Sequence, residues 1–415
     1  MTAEIVIINQ QAVAMAADSA LTIGKQRVWK HANKLFSAGP QHDVGIMIFN
    51  SGDFLSIPWE IIIKEFRKEV SSQNFDKIDD FATAFIEYIK KDEFGDDHFE
   101  ELSFGLIFND IIESISKSLE YSNRVEYQID LLATINLQTS ELDEIFELSC
   151  PFDYAAFKSH YGRVIVDLAK KTLPFGFHKY FNDKLIRLCF EHIRRESSSE
   201  YSTGIVIAGY GKKELFPSVK NIYIDGRSLG FTRIWMGEPQ VDLNKSRSQN
   251  AAIIPFAQVD MARLFMEGIS NKYVQFIIET MGSALQAKAH EIIENFIPDK
   301  GTQTVEKHLQ EKQIESMLAA FQAEFSMYRS EYFTKPILDT IQALPKEEMA
   351  YMARAMVEIT ALRRRFASTV ETVGGDIDVA VISKSDGFIW IHRKHYFDID
   401  SNPDFMQRRQ ILRGD

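Results

Sequence analysis

Nearly continuous apolar runs mark both ends of the chain, and helical periodicity marks its middle. Residues 4–8 and 12–17 are short apolar runs separated by polar Asn9, Gln10 and Gln11, which predicts two strands joined by a turn. Neither run alternates with polar positions, which predicts strands covered on both faces. A second pair is predicted at 34–36 and 44–49, joined through Gly39 and Pro40. Residues 377–382 and 388–391 flank Asp386 and Gly387, a hairpin signal. Residues 204–209 and 219–224 read as a further pair.

Between these pairs the period changes. Residues 57–70 begin near Pro58 and carry Ile61, Ile62, Phe66 and Val70 along one side. Residues 303–330 set Val305, Leu309, Leu318, Phe321, Phe325 and Tyr328 at spacings near three and four. Pro345 followed by Glu347 and Glu348 starts a helix expected to run to Phe366. Strand pairs from both ends, separated by helices, predict a layered α/β sandwich rather than a doubly wound sheet. No internal repeat or low-complexity segment interrupts the pattern.

Length and charge narrow the possibilities. A chain of 415 residues suits two or three domains, or one core with large insertions. Its formal net charge of −12 repels a phosphate backbone, so nucleic acid is not an expected partner. Arg363, Arg364 and Arg365 are the compact basic run, read as cations closing a helix. Cys150 and Cys189 form no disulfide framework. No basic segment leads into an apolar leader, and no apolar run is long enough to span a bilayer. These features predict a soluble, cytoplasmic protein that does not engage a membrane.

The candidate chemistry lies at the start of the chain. Thr2 becomes the first residue once Met1 is removed, and a free N-terminal threonine joins a nucleophilic hydroxyl to its own basic amine. An α-amine titrates at about 7.7–8.0, so it can accept the hydroxyl proton near neutral pH. A neighbouring cation would lower the hydroxyl pKa, and a carboxylate would hold that cation in place. Asp18 lies sixteen residues after Thr2 and Lys34 thirty-two after it.

With this spacing the sequence resembles proteasome β-subunits and related bacterial ring peptidases, within the N-terminal-nucleophile (Ntn) hydrolase superfamily. Residues 12–22 look like the family's second strand with its acid and following threonine, and 34–36 look like its lysine motif. Residues 374–387 resemble the closing strand pair, and 205–210 the central strand. The resemblance implies a four-layer αββα sandwich, with Thr2, Asp18 and Lys34 catalytic and Thr22 pairing with an extended substrate. Asn50 and Ser51 stand where a backbone N–H would stabilise an oxyanion. Two family features are missing: residues 253–258 contain no serine, and Val370 and Val373 replace an expected acid and hydroxyl. Glu371 or Ser368 supplies such a group if the register shifts.

Other patterns carry less. His290 to Glu294 lacks the second histidine of a helical zinc motif, and Cys189 with His192 lacks a second ligand pair. Asp398 to Asp404 has Pro403 where a calcium loop needs glycine. Residues 209–212 are too short for a phosphate loop, and 92–97 read as an acidic linker. No metal or cofactor is therefore expected. The expected organisation is a core of 1–91 and 179–415, enlarged by helices at about 271–345, with a helical insertion at 92–178. The expected reaction is hydrolysis of an amide, most directly a peptide bond in a peptide or protein substrate. A small-molecule amidase also fits the residues. The rival reading is a non-catalytic assembly or binding protein using its helical insertions. The resemblance further implies a homo-oligomer, with a ring among its forms.

Overall fold

A computed structural model describes residues 3–23, 27–29, 32–121, 123–173, 175, 179–245, 250–366, 374–395, 397–398, 401–402 and 404. The fold is mixed α/β with antiparallel sheets, as the paired strand signals predict. β1 (Ala3–Asn9) and β2 (Val13–Ala17) form a hairpin, and a short ribbon follows of β3 (Leu21–Ile23) and β4 (Arg27–Trp29). β5 (Leu35–Ser37) pairs with β6 (Val44–Asn50), and a second small ribbon, β7 (Asp53–Phe54) and β8 (Ile57–Pro58), leads into α1 (Trp59–Glu69) and α2 (Ile78–Ile89). A helical stretch then comprises α3 (Asp97–Ser118), α4 (Arg124–Leu142), α5 (Tyr154–Thr172) and α6 (Asn182–Ile193).

The chain returns to sheet with β9 (Thr203–Gly209), β10 (Ser218–Ser228), β11 (Phe231–Asp242) and β12 (Ala251–Ala257). Five more helices follow: α7 (Asp260–Glu267), α8 (Asn271–Phe296), α9 (Lys300–Arg329), α10 (Lys335–Gln342) and α11 (Lys346–Arg365). The hairpin of β13 (Asp378–Ser383) and β14 (Gly387–His392) follows.

One sheet has the order β12-β1-β2-β13-β14 and the other β11-β10-β9-β6-β5. Strand parity explains why their sequences do not alternate. In β1, Ile5 and Ile7 pack with Met349, Ala353 and Val357 of α11, while Val6 and Ile8 point to the other face. There they meet Met47 and Phe49 of β6 and Val206 of β9. On the far side of β6, Ile46 and Ile48 pack under Trp59, Phe66 and Phe85 of α1 and α2. Apart from Asn50 at the end of β6, the side chains of β1, β6 and β9 are buried, and burying one large apolar side chain contributes about 1.5–3 kcal/mol.

Gly204 in β9 is required by packing. A Cβ there would lie 1.9 Å from the Phe49 ring, which crosses directly over the glycine. Trp59 ties α1 to the same strand by donating from Nε1 to Thr203 Oγ1 at 2.9 Å.

Helices α3 to α6 build a separate apolar cluster around Phe104, Phe108, Phe157, Tyr161 and Phe190. Arg233 of β11 fastens it to the second sheet, reaching the backbone at the end of α6. The pair α8–α9 differs: Val274, Gly282, Ile293 and Ile314 are its buried residues, while Phe276, Phe296, Val305 and Met327 are exposed. Among the described residues no helix is long and apolar enough to cross a membrane.

Candidate functional site

The ends of β1 and β2 meet the start of β5 in the interior. Asp18 follows the last residue of β2, and its backbone N–H donates to the Ala3 carbonyl at 3.1 Å. Lys34 precedes β5, and its carbonyl accepts from the Ile48 N–H of β6 at 2.9 Å. Facing strands thus bring together two residues sixteen apart in sequence. The Lys34 ammonium lies 2.5 Å from Asp18 Oδ1.

Asp18 is the hub. Its Oδ1 also accepts the Ala3 N–H at 3.2 Å, and its Oδ2 accepts the Gly374 N–H at 2.8 Å. Ser19 extends the connection: its N–H reaches the Gly374 carbonyl at 3.2 Å, and its hydroxyl donates to the Asp376 carbonyl. Its own carbonyl accepts from the Ala32 N–H at 3.0 Å. One carboxylate therefore ties the start of the first strand, the approach to the last hairpin, and the lysine.

A second acid completes the cluster. Glu4 of β1 shares the inward parity of Val6 and Ile8, and its Oε1 lies 3.2 Å from Lys34 Nζ. Asp18, Glu4 and Lys34 expose 0%, 2% and 3% of their surfaces, so bulk water does little to screen them. With all three ionised the trio carries one excess negative charge. Removing one member of a buried ion pair costs about 3–5 kcal/mol, because its partner is left without a counter-charge. Sequence reasoning missed Glu4. The available signal was a single carboxylate inside an otherwise apolar, doubly covered strand.

The lysine also borders open space. A cavity of about 180 Å³ is lined by Lys34, Asn50, Ser51, Gly52, Pro58 and Glu60, among others. Asn50 ends β6 with φ of +67°, a left-handed conformation that asparagine tolerates better than most residues. The Ser51 N–H donates to the Ser202 carbonyl at 3.4 Å, and its hydroxyl to the Asp53 carbonyl at 3.2 Å. Both Ser51 donors are thus engaged. At the rim, burial pushes the Glu60 carboxyl up, but hydrogen bonds from Lys64 and Asn33 outweigh it and leave the group below its usual range. Burial alone pushes the Asp53 carboxyl up.

The structure therefore brings Asp18 and Lys34 into contact and places Asn50 and Ser51 on the cavity that Lys34 lines. Thr22 lies opposite Val28 in the ribbon β3–β4. Thr2, Ser368, Val370, Glu371 and Val373 fall outside the described residues. Cys189 is buried, and His192 has its pKa pushed down to about 3 by burial and by the Arg233 charge. Among the described residues no cluster of histidine, cysteine and carboxylate side chains could hold a metal ion.

No family model matches the chain. No curated protein matches it either. Among solved structures, it is similar to Anbu (ancestral beta-subunit) from Yersinia bercovieri, at 8% identity and a TM-score of 0.30, covering 99% of this chain and 97% of that one. The Gly-1 mutant of Anbu from Hyphomicrobium sp. strain MC1 gives 10% identity and a TM-score of 0.30 over the same shares. Superposition at that level is too loose to assign a family.

The assignment to proteasome β-subunits and Ntn hydrolases made from the motifs is thereby overturned. Its physical weakness is plain in the structure. Apolar runs at 4–8, 12–17 and 44–49 are what any doubly covered antiparallel pair requires, and an acid and a lysine where two hairpins meet form an ion pair whatever the lineage.

Proposed function

We propose that the chain hydrolyses an amide, most directly a peptide bond, with Thr2 as nucleophile after removal of Met1. In this reading the Thr2 amine takes the hydroxyl proton, Lys34 stabilises the oxygen that attacks, and Asp18 holds Lys34. The supporting observation is that the Ala3 N–H and the Lys34 ammonium both bond to Asp18 Oδ1. Residue 2 is joined by its peptide bond to Ala3, the residue whose N–H this carboxylate accepts. The cavity beside Lys34 supports a place for the substrate carbonyl, with a backbone N–H of the 50–52 segment as its donor. Because both Ser51 donors are engaged, Asn50 contributes by shaping the turn, and binding would have to free the Ser51 amide. Glu371 would serve as a further acid, and Thr22 would meet the substrate backbone.

The two facing sheets with their helical covers are read here as a four-layer αββα sandwich. Residues 1–91 and 179–415 form its body and 92–178 an inserted helical part. A cytosolic setting goes with this reading, since both cysteines are free. The test is turnover of a fluorogenic peptide library by wild type and Thr2→Ala. Cleavage by the wild type and its loss in the variant are expected; equal cleavage by both removes Thr2 from the chemistry.

Glu4 favours a second reading. With two carboxylates on one ammonium, Lys34 is already neutralised, as in a purely structural cluster. The chain would then be a binding or assembly protein acting through its helical additions. Absence of turnover, together with a stability loss in Lys34 variants, is the outcome that selects it.

A further inference from the structure

At the opposite end of β6 lies a second polar cavity that Thr2 chemistry does not use. Val44 and Asn50 bound that strand, which places the two sites roughly 20 Å apart. The cavity, of about 360 Å³, is lined by the turn before β6, the start of α2, and the segments at 210–212 and 384–385. Backbone bonds fix these pieces to one another. The Tyr210 N–H donates to the Asp43 carbonyl and the Lys212 N–H to the Phe75 carbonyl, each at 2.9 Å. The Ser385 N–H reaches Asp43 Oδ2 at 3.1 Å.

Three lysines converge here on an otherwise acidic protein. Lys77, Lys212 and Lys384 line the cavity, against Asp43 as the one lining carboxylate. The Lys212 ammonium donates to the Gln41 carbonyl at 2.9 Å, and that of Lys384 to the Glu214 carbonyl. Among the described residues none of the three has a carboxylate partner. The first amide of α2 is taken by Glu214, since the Ile78 N–H donates to its Oε2 at 3.0 Å. The lysines are therefore the cationic groups that the cavity offers.

His42 supplies the second observation. It is only 5% exposed, and its Nε2 lies 3.1 Å from the Val70 carbonyl, which can only accept. Nε2 therefore carries the proton and Nδ1 is an acceptor. Nδ1 has no hydrogen-bond partner among the described residues, yet it is not sealed from solvent. Burial and the Lys212 charge lower the His42 pKa, against the Val70 hydrogen bond and Asp43, which raise it. His42 also borders a neighbouring groove, but there Lys64, Arg67 and Arg393 are matched by Glu60, Asp378 and Asp386 in the lining.

From these features we infer that the cavity binds a small oxyanion that also carries a hydrogen-bond donor: the lysines take the anionic oxygens, and His42 Nδ1 accepts from the ligand's O–H or N–H. A phosphate ion fits well within the space and leaves room for an organic portion. The site is independent of the Thr2 reading and stands or falls separately.

Inorganic phosphate and sulfate separate the two elements of recognition. In mildly alkaline solution both are dianions, but only hydrogen phosphate has an O–H. Calorimetric titration of the full chain at matched ionic strength should give phosphate binding about tenfold tighter than sulfate, the worth of one buried hydrogen bond to a charged group. The exposed pair Lys212→Gln and Lys384→Gln should weaken phosphate by tenfold or more without unfolding the protein. The sulfate comparison uses wild type, so it does not depend on a buried His42 variant folding. Equal affinity for the two ions, unchanged affinity in the double variant, or no binding at about 10 mM phosphate would each overturn the proposal.

Discussion

Two of the buried cations among the described residues, Arg233 and Lys34, are held in opposite ways. Arg233 in β11 is fully saturated. Its Nε donates to the Ile193 carbonyl, Nη1 to Asp225, and Nη2 to the carbonyls of His192, Arg195 and Ser197. Asp225 is equally engaged, accepting the Ser199 N–H and hydroxyl. Lys34 instead has carboxylates on one side and a cavity on the other. A cation whose donors are all used by fixed carbonyls and a fixed carboxylate is placed to brace the fold. One that borders open space has room, on the proposed reading, to meet a reacting group. Both cations are buried, so on that reading it is saturation, not burial, that would separate a structural charge from a functional one.

The contrast is sharpest under conservative substitution. Arg233→Lys keeps the charge but loses the planar fork, leaving several carbonyls and part of Asp225 without donors. We expect a loss of about 3 kcal/mol from the acceptors left unpaired, read as a lowered urea midpoint, with turnover per folded molecule unchanged. Lys34→Arg should behave inversely. Charge and pairing with Asp18 and Glu4 survive, but the bulkier head cannot occupy the same point, so hydrolysis should fall by about 10²–10³ with a smaller shift in midpoint. If both variants lose stability alike and neither changes rate selectively, the distinction fails.

A smaller effect follows from pH. His192 sits against Arg233, and burial, with that positive charge adding to it, holds its pKa at about 3. The unfolded chain binds a proton there near pH 6.5 while the folded chain does not. Stability is therefore complete above about pH 6.5 and declines as pH falls toward 3, at up to about 1.4 kcal/mol per unit. Urea midpoints measured between neutral pH and pH about 5 should fall in wild type, and fall less in His192→Gln. Identical slopes would mean that other groups govern the acid response.

Much of the strand content was legible because doubly covered strands write themselves as unbroken apolar runs. The pairs β1–β2, β5–β6, β9–β10 and β13–β14 all fall where such runs were read. β11 escaped notice because Thr232, Arg233, Glu238 and Gln240 break its pattern, and Arg233 is buried only through partners distant in sequence. Asp18 and Lys34 could be paired in advance only through the positions that the resemblance gave them. Glu4 could not be placed, since nothing local shows which face of β1 meets Lys34. Family membership was over-read from the same motifs, because an ion pair at the meeting of two hairpins specifies a local geometry and not a lineage.

The most direct test of Lys34 as a functional cation is mass spectrometry of the N-terminal peptide after treatment with an acylating, hydroxyl-directed probe. A peptide that begins at Thr2 and carries the acyl group, in wild type but not in Lys34→Arg, is the predicted result. An N-terminal peptide that retains Met1 in material shown to turn over substrate, or a probe found elsewhere on the chain, would contradict it.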